Sequence, residues 1–160
     1  MLMTDAGAFA ELFRNHITIS EQTLELLRLE RASLEENRLD DFKAITDKKA
    51  GVLDALAQAD IEIFTRLQEA GCAGSAVGIQ EYLASLDPTA AHRLQPLWDE
   101  IMELTRQCQH ANLVNGTMIE ACKKEAEQML DILLGRSQKV ELYSSSGKAV
   151  RNTPHNSIKA

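Results

Sequence analysis

The sequence predicts an all-α protein in which an antiparallel helical hairpin packs on a third long helix. Aromatic residues make up only 4% of the chain, and leucine, alanine, glutamate and glutamine are abundant, a composition that favours helices over sheets. Apolar residues recur at helical spacing over long segments, and no segment alternates between apolar and polar residues as a strand does. A short intervening helix and a flexible C-terminal tail complete the predicted architecture.

The first two helices are predicted over about residues 5–36 and 41–70, with Asp40 as the N-cap of the second. A link this short joins antiparallel neighbours, so the two helices are expected to form a hairpin. Within that hairpin Glu30 and Lys49 fall at about the same height. We therefore expect these two side chains to pair and to fix the register of the hairpin.

A short helix follows over about residues 75–85, and Val77 is among its predicted apolar contacts. Asp87 and Pro88 form an N-cap and first-turn pair. Because proline cannot donate a backbone hydrogen bond, Pro96 predicts a helix start or a kink. The long helix is accordingly predicted to begin near Pro96 and to end at Gly135.

The long helix carries an apolar seam in which the spacing alternates between four and three residues. Asn115 sits inside this seam, Asn112 lies beside it and Gly116 follows it. A buried amide and a helical glycine each cost stability, so they predict a specific partner or a close backbone approach that fixes register. The seam consists of Leu97, Ile101, Leu104, Cys108, Ala111, Asn115, Met118 and Cys122, after which the heptad slips to Ala126, Met129 and Leu133.

Charge divides the chain unevenly. Residues 1–135 hold 23 acidic and 12 basic residues, whereas residues 136–160 carry a net charge of +4. An acidic body argues against nucleic-acid binding. We predict one helical domain over residues 1–143 and a flexible basic tail over residues 144–160.

Other features of the sequence predict a cytoplasmic protein. No apolar run approaches the roughly 18 residues that a membrane span needs, and the first residues lack the basic region and apolar block of a signal peptide. The three cysteines show no pairing pattern, which fits a reducing compartment.

The sequence contains no recognisable catalytic motif. Phosphate-binding glycine loops, zinc motifs of the His-Glu-x-x-His type and Cys-x-x-Cys pairs are all absent, and the four histidines are scattered. His16 lies on the apolar face of the first helix and is predicted to be a core residue with satisfied hydrogen bonds. We expect no enzymatic activity, no cofactor and no metal.

The remaining signals concern binding. The long helix has no aromatic residue between Trp98 and Tyr143, and its methionines suit irregular partners. Because it is longer than either arm of the hairpin, part of it is expected to overhang and to accept a partner helix.

Three groups of residues make the chain resemble the FlgN family of flagellar export chaperones. The resemblance covers about residues 20–150, although Ser144 to Ser146 separate the tyrosine of the tail from its glycine, where the family usually has glycine soon after tyrosine. The matching positions are Glu30, Leu34, Phe42, Lys49, Leu53 and Leu56 in the hairpin, the run Asn112-Leu113-Val114-Asn115-Gly116, and Tyr143 with Gly147.

This resemblance implies a chaperone that binds the C-terminal helical ends of hook-associated proteins, keeps them unassembled and presents them to the type III export machinery. We predict that Tyr143 and Gly147 dock on the export gate or its ATPase complex. The predicted client-binding residues are Met118, Ile119, Cys122, Met129, Leu130 and Leu133.

A structural function is the alternative that the sequence leaves open. In that interpretation the chain is a self-associating coiled-coil or adaptor module, and Asn115 fixes the register of a homodimer. A monomer whose mass is independent of concentration favours the chaperone interpretation.

Overall fold

The computed structural model describes the backbone of residues 2–135 and the side chains of residues 6–135. This part of the chain contains four helices and no strand: α1 (Leu2–Glu35), α2 (Leu39–Glu69), α3 (Ala76–Ser85) and α4 (Pro88–Leu133). The hairpin of α1 and α2 is present, and α1 also packs on α4. The predicted all-α fold class is therefore confirmed.

The described chain divides into two units, the first ending at Glu120 and the second beginning at Ala121. The helical hairpin, α3 and the first 33 residues of α4 belong to the first unit. The predicted domain boundary after residue 143 and the predicted flexible tail lie outside the described residues.

The turn between α1 and α2 is stabilised by backbone hydrogen bonds. Asn37 adopts a left-handed conformation with φ of 54°, and the Arg38 amide donates to the Ser33 carbonyl at 2.8 Å. This is the Schellman arrangement, in which asparagine replaces the usual glycine. The prediction that Asp40 caps α2 is wrong, because α2 begins at Leu39 and Asp40 lies in its first turn, where its charge still complements the helix dipole.

Two glycines shape the connection from α2 to α3. Gly71 ends α2 with φ of 82°, and the Ser75 side chain caps α3 by accepting from the Gly78 amide at 3.3 Å. A Cβ at Gly78 would overlap the Ala73 carbonyl oxygen, so only glycine fits there. The predicted apolar contact at Val77 is wrong, since this side chain points to solvent and is 67% exposed.

The long helix α4 begins earlier than its sequence predicts. The Asp87 carboxylate accepts from the Thr89 and Ala90 amides at 3.0 and 3.1 Å, and Pro88 is the first helical residue. Pro96 therefore lies inside the helix and not at its start. With a cap and a pre-organised first turn already upstream, the proline removes only one backbone hydrogen bond.

The main hydrophobic core lies where the N-terminal half of α1, the C-terminal half of α2, α3 and the start of α4 meet. Aromatic contacts connect its layers: Phe9 stacks on Tyr82 with ring centroids 4.4 Å apart, and Phe13 contacts Trp98 at 5.9 Å. The other fully buried members are Ala10, Ile17, Ile63, Leu67, Ile79, Leu83, Leu94 and Ile101.

The other end of the hairpin is packed differently. A small second cluster of Leu24, Leu27 and Ala111 continues the contact between α1 and α4. Beyond it the buried side chains include Glu30, Ser33 and Asn115, while none of the side chains of α2 from residue 39 to 58 is fully buried. Polar contacts therefore contribute much of the specificity at this end.

Candidate functional site

A buried polar network joins α1, α2 and α4. Glu30 is only 1% exposed, and its Oε1 accepts from Lys49 Nζ at 2.5 Å. Its Oε2 accepts from Asn115 Nδ2 at 2.8 Å. The contact between Glu30 and Lys49 that the hairpin register predicts is thus present, and the same carboxylate also contacts α4 through Asn115.

The hydrogen bonds of the Asn115 side-chain amide are all made to α1 of the same chain. Its Nδ2 donates to the Leu27 carbonyl at 2.7 Å as well as to Glu30, and its Oδ1 accepts from Arg31 Nε at 3.2 Å. A fully satisfied buried amide specifies one register between two helices. Within this chain the Asn115 amide therefore fixes the register between α1 and α4, and its pairing across a homodimer stays a prediction.

The residues next to Asn115 behave differently from it. Gly116 is exposed, and a Cβ built on it would meet nothing within 4 Å, so no segment of the described chain makes the predicted close backbone approach there. Asn112 is exposed and lines a cleft of about 290 Å³ together with Lys49 and Leu56. Of Asn112, Asn115 and Gly116, only Asn115 lies in the network with Glu30 and Lys49.

His16 is a core residue with satisfied hydrogen bonds, as predicted. Its Nε2 lies 2.9 Å from Asp60 Oδ1 and its Nδ1 lies 3.1 Å from Ser20 Oγ. Among the residues that the structure describes, no group of three or more histidine, cysteine or acidic side chains could hold a metal ion.

Two titratable groups on α4 have shifted pKa values. Hydrogen bonds from Arg106 and Gln107 lower the pKa of the exposed Glu103 carboxyl to about 2. Burial raises the pKa of the Cys108 thiol, which donates to the Ser20 carbonyl at 3.6 Å. This thiol is therefore a poor nucleophile at neutral pH.

The predicted client-binding residues fall into two environments. Those in the first unit are partly covered and those in the second unit are exposed. In the first unit these are Met118 and Ile119, and in the second they are Cys122, Met129, Leu130 and Leu133. Tyr143 and Gly147 lie outside the described residues.

Comparison with known protein families decides the identity of the chain. The FlgN family model, described as FlgN protein, matches residues 1–151. The chain belongs to the FlgN family. No curated protein matches the chain, and no solved structure matches it. Family membership makes its general role that of a flagellar export chaperone.

The end of α4 in this FlgN-family chaperone exposes more apolar surface than the predicted set contains. Ile132 and Leu134 are 78% and 60% exposed, beside Met129 at 68%, Leu130 at 55% and Leu133 at 81%. The signal was visible in the sequence, since five of the six residues from 129 to 134 are large and apolar. Of these five residues, the predicted set contains only Met129, Leu130 and Leu133.

None of the described helices of this FlgN-family protein has the length and apolar content that crossing a membrane requires.

Proposed function

We propose that this FlgN-family protein binds the C-terminal helical segments of hook-associated proteins in the cytoplasm, prevents their premature assembly and delivers them to the flagellar type III export apparatus. The observation that supports the proposal most directly is the exposed apolar run over residues 129–134. Contiguous exposed apolar surface of this kind is typical of interaction sites.

The spacing of the exposed side chains suits a helical client. Cys122, Met129 and Leu133 recur at intervals of seven and four residues and so share one face of α4, and Leu130 lies beside them. An amphipathic client helix could lay its own apolar stripe along that face. The two methionines among the proposed contacts, Met118 and Met129, can adapt to more than one client sequence.

The apolar surface that a client could bury is of a size that fits a reversible complex. Covering one large aliphatic side chain contributes about 1.5–3 kcal/mol, and five such side chains between residues 129 and 134 are more than half exposed. Ordering a flexible client offsets part of this gain. The net binding free energy that remains is comparable to that of a micromolar complex, roughly 8 kcal/mol.

Co-purification with separate C-terminal segments of hook-associated proteins, followed by calorimetry, tests client binding. Coupled folding of a segment should give a large negative heat-capacity change. We expect the double substitution Leu130→Ser and Leu133→Ser to weaken binding at least about tenfold, because two buried contacts are lost.

The matched control is Leu113→Ser, because Leu113 lies on the same helix outside the proposed contacts and its 70% exposure falls between the 55% of Leu130 and the 81% of Leu133. This variant should bind as the unmodified protein does. Failure of every such segment to bind, or an equal loss in the double variant and the control, would remove the proposal.

Docking on the export apparatus is the second part of the proposed function. We assign it to Tyr143 and Gly147 in the basic C-terminal region, with residues 136–150 also folding around the client. Deleting residues 136–160 should abolish binding to the export gate and reduce client affinity. If both interactions survive the deletion unchanged, the docking assignment is wrong.

A further inference from the structure

A cleft of about 330 Å³ lies between α1 and α4 within the first unit, and none of the residues proposed to bind clients lines it. Arginine and histidine side chains line it, together with a single carboxylate. The lining charged or titratable residues are Arg28, Arg31 and Glu35 from α1 and Arg106 and His110 from α4.

The charge of this cleft contrasts with that of the surrounding sequence. Residues 1–135 carry 23 acidic against 12 basic side chains and include seven arginines. Three of those seven line this one cleft. A local concentration of guanidinium groups on an otherwise acidic body creates a site that favours a negatively charged partner.

Two of these arginines already pair with carboxylates at the rim of the cleft. Arg28 Nη1 lies 3.7 Å from Glu25 Oε2, whereas Arg106 donates two hydrogen bonds to Glu103, from Nε at 3.0 Å and from Nη2 at 2.7 Å. Both pairs are exposed to solvent, where water and salt screen the attraction between the charges. An incoming carboxylate can therefore share the guanidinium of Arg28 or Arg106 with the carboxylate already beside it.

The deeper part of the cleft provides one more donor and an apolar floor. Arg31 is half-buried and donates its Nε to Asn115, and none of the carboxylates that the structure describes lies within ion-pair distance of it. Its two Nη groups remain available to a ligand. Leu24, Leu27 and Ala111 form the floor beneath it.

We propose that this cleft docks an acidic amphipathic helix of a partner protein. One apolar side chain of that helix contacts the floor, and flanking carboxylates accept hydrogen bonds from Arg28, Arg31 and Arg106. Arginine forks match carboxylates in two parallel hydrogen bonds, which provides both charge and geometric selection. This inference does not rest on client binding at the end of α4.

Two synthetic helical peptides test the proposal. Both carry the same leucine face, one is flanked by glutamates and the other by lysines, and binding to the full chain is measured by fluorescence anisotropy. The glutamate peptide should bind with an affinity that falls as salt is raised, and the lysine peptide should not bind.

A matched pair of double variants locates the site. Replacing Arg28 and Arg106 with glutamine should weaken binding of the glutamate peptide at least about tenfold, because charged hydrogen bonds are lost. Replacing Arg14 and Arg93 with glutamine makes the same charge change at exposed positions of the same two helices outside the cleft. This control should change the affinity by less than about threefold.

Three results would overturn the proposal. The first is no binding of the glutamate peptide, and the second is equal binding of the two peptides. The third is an equal loss of affinity in both double variants, which would indicate a diffuse charge effect. Because all four substituted arginines are exposed, the circular dichroism spectra and melting curves of both double variants should match those of the unmodified protein.

Discussion

Replacing Lys49 with methionine tests the buried ion pair between α1 and α2. The change keeps most of the aliphatic stem but removes the ammonium group 2.5 Å from Glu30 Oε1. Glu30 would then keep only its hydrogen bond from the Asn115 amide. Removing one partner of a buried pair costs about 3–5 kcal/mol. Because the Lys49 side chain is 16% exposed and water reaches it, we expect the lower end, about 3 kcal/mol.

Urea unfolding followed by far-ultraviolet circular dichroism measures this loss. Lys48→Met is the matched control, since Lys48 is the exposed neighbour on the same helix and should change the free energy of unfolding by less than about 0.5 kcal/mol. Adding Glu30→Gln to Lys49→Met should recover part of the loss, because a neutral amide needs no cation. A Lys49→Met variant as stable as its control would refute the reasoning.

Three further predictions concern other positions in the first unit and its boundary. Gly116→Ala should raise the free energy of unfolding by about 0.5–1 kcal/mol, because the added methyl group meets open space. Gly78→Ala should lower the free energy of unfolding by more than about 2 kcal/mol, because its methyl group would clash with the backbone. Thermal denaturation compares the two variants. Exposed Cys122 should react with a thiol reagent before Cys108, whose pKa burial raises, as mass spectrometry would detect. The Glu103 carboxyl should stay charged until the pH falls to about 2, which carbon-13 NMR would follow.

Local sequence signals were enough to predict the helices and the hairpin. Apolar spacing placed α1 and α2 correctly, and the Glu30 and Lys49 contact followed from counting residues on either side of the turn. The predicted start at Pro96 is wrong because the Asp87 cap and Pro88 already form the first turn upstream of it. A helix that already has an N-cap and a first turn can continue through a proline, so the upstream cap and not the proline marks where α4 begins.

The rest of the site depended on contacts between distant residues. Glu30 is buried because partners 19 and 85 residues away satisfy it, and no periodicity in α1 alone reveals that. The basic cleft likewise forms only when Arg28 and Arg106 are brought together from two helices. By contrast, the apolar run at residues 129–134 is local, so the sequence contained its full extent.

Hydrogen–deuterium exchange with a bound client tests the central claim most directly. On addition of the C-terminal segment of a hook-associated protein, amides in residues 121–135 should become protected, because the client covers their exposed apolar side chains. Amides beside the main core, around Trp98 and Ile101, should exchange as before, since these residues are already buried. Protection confined to residues 1–120, or none when the segment is bound, would contradict the account.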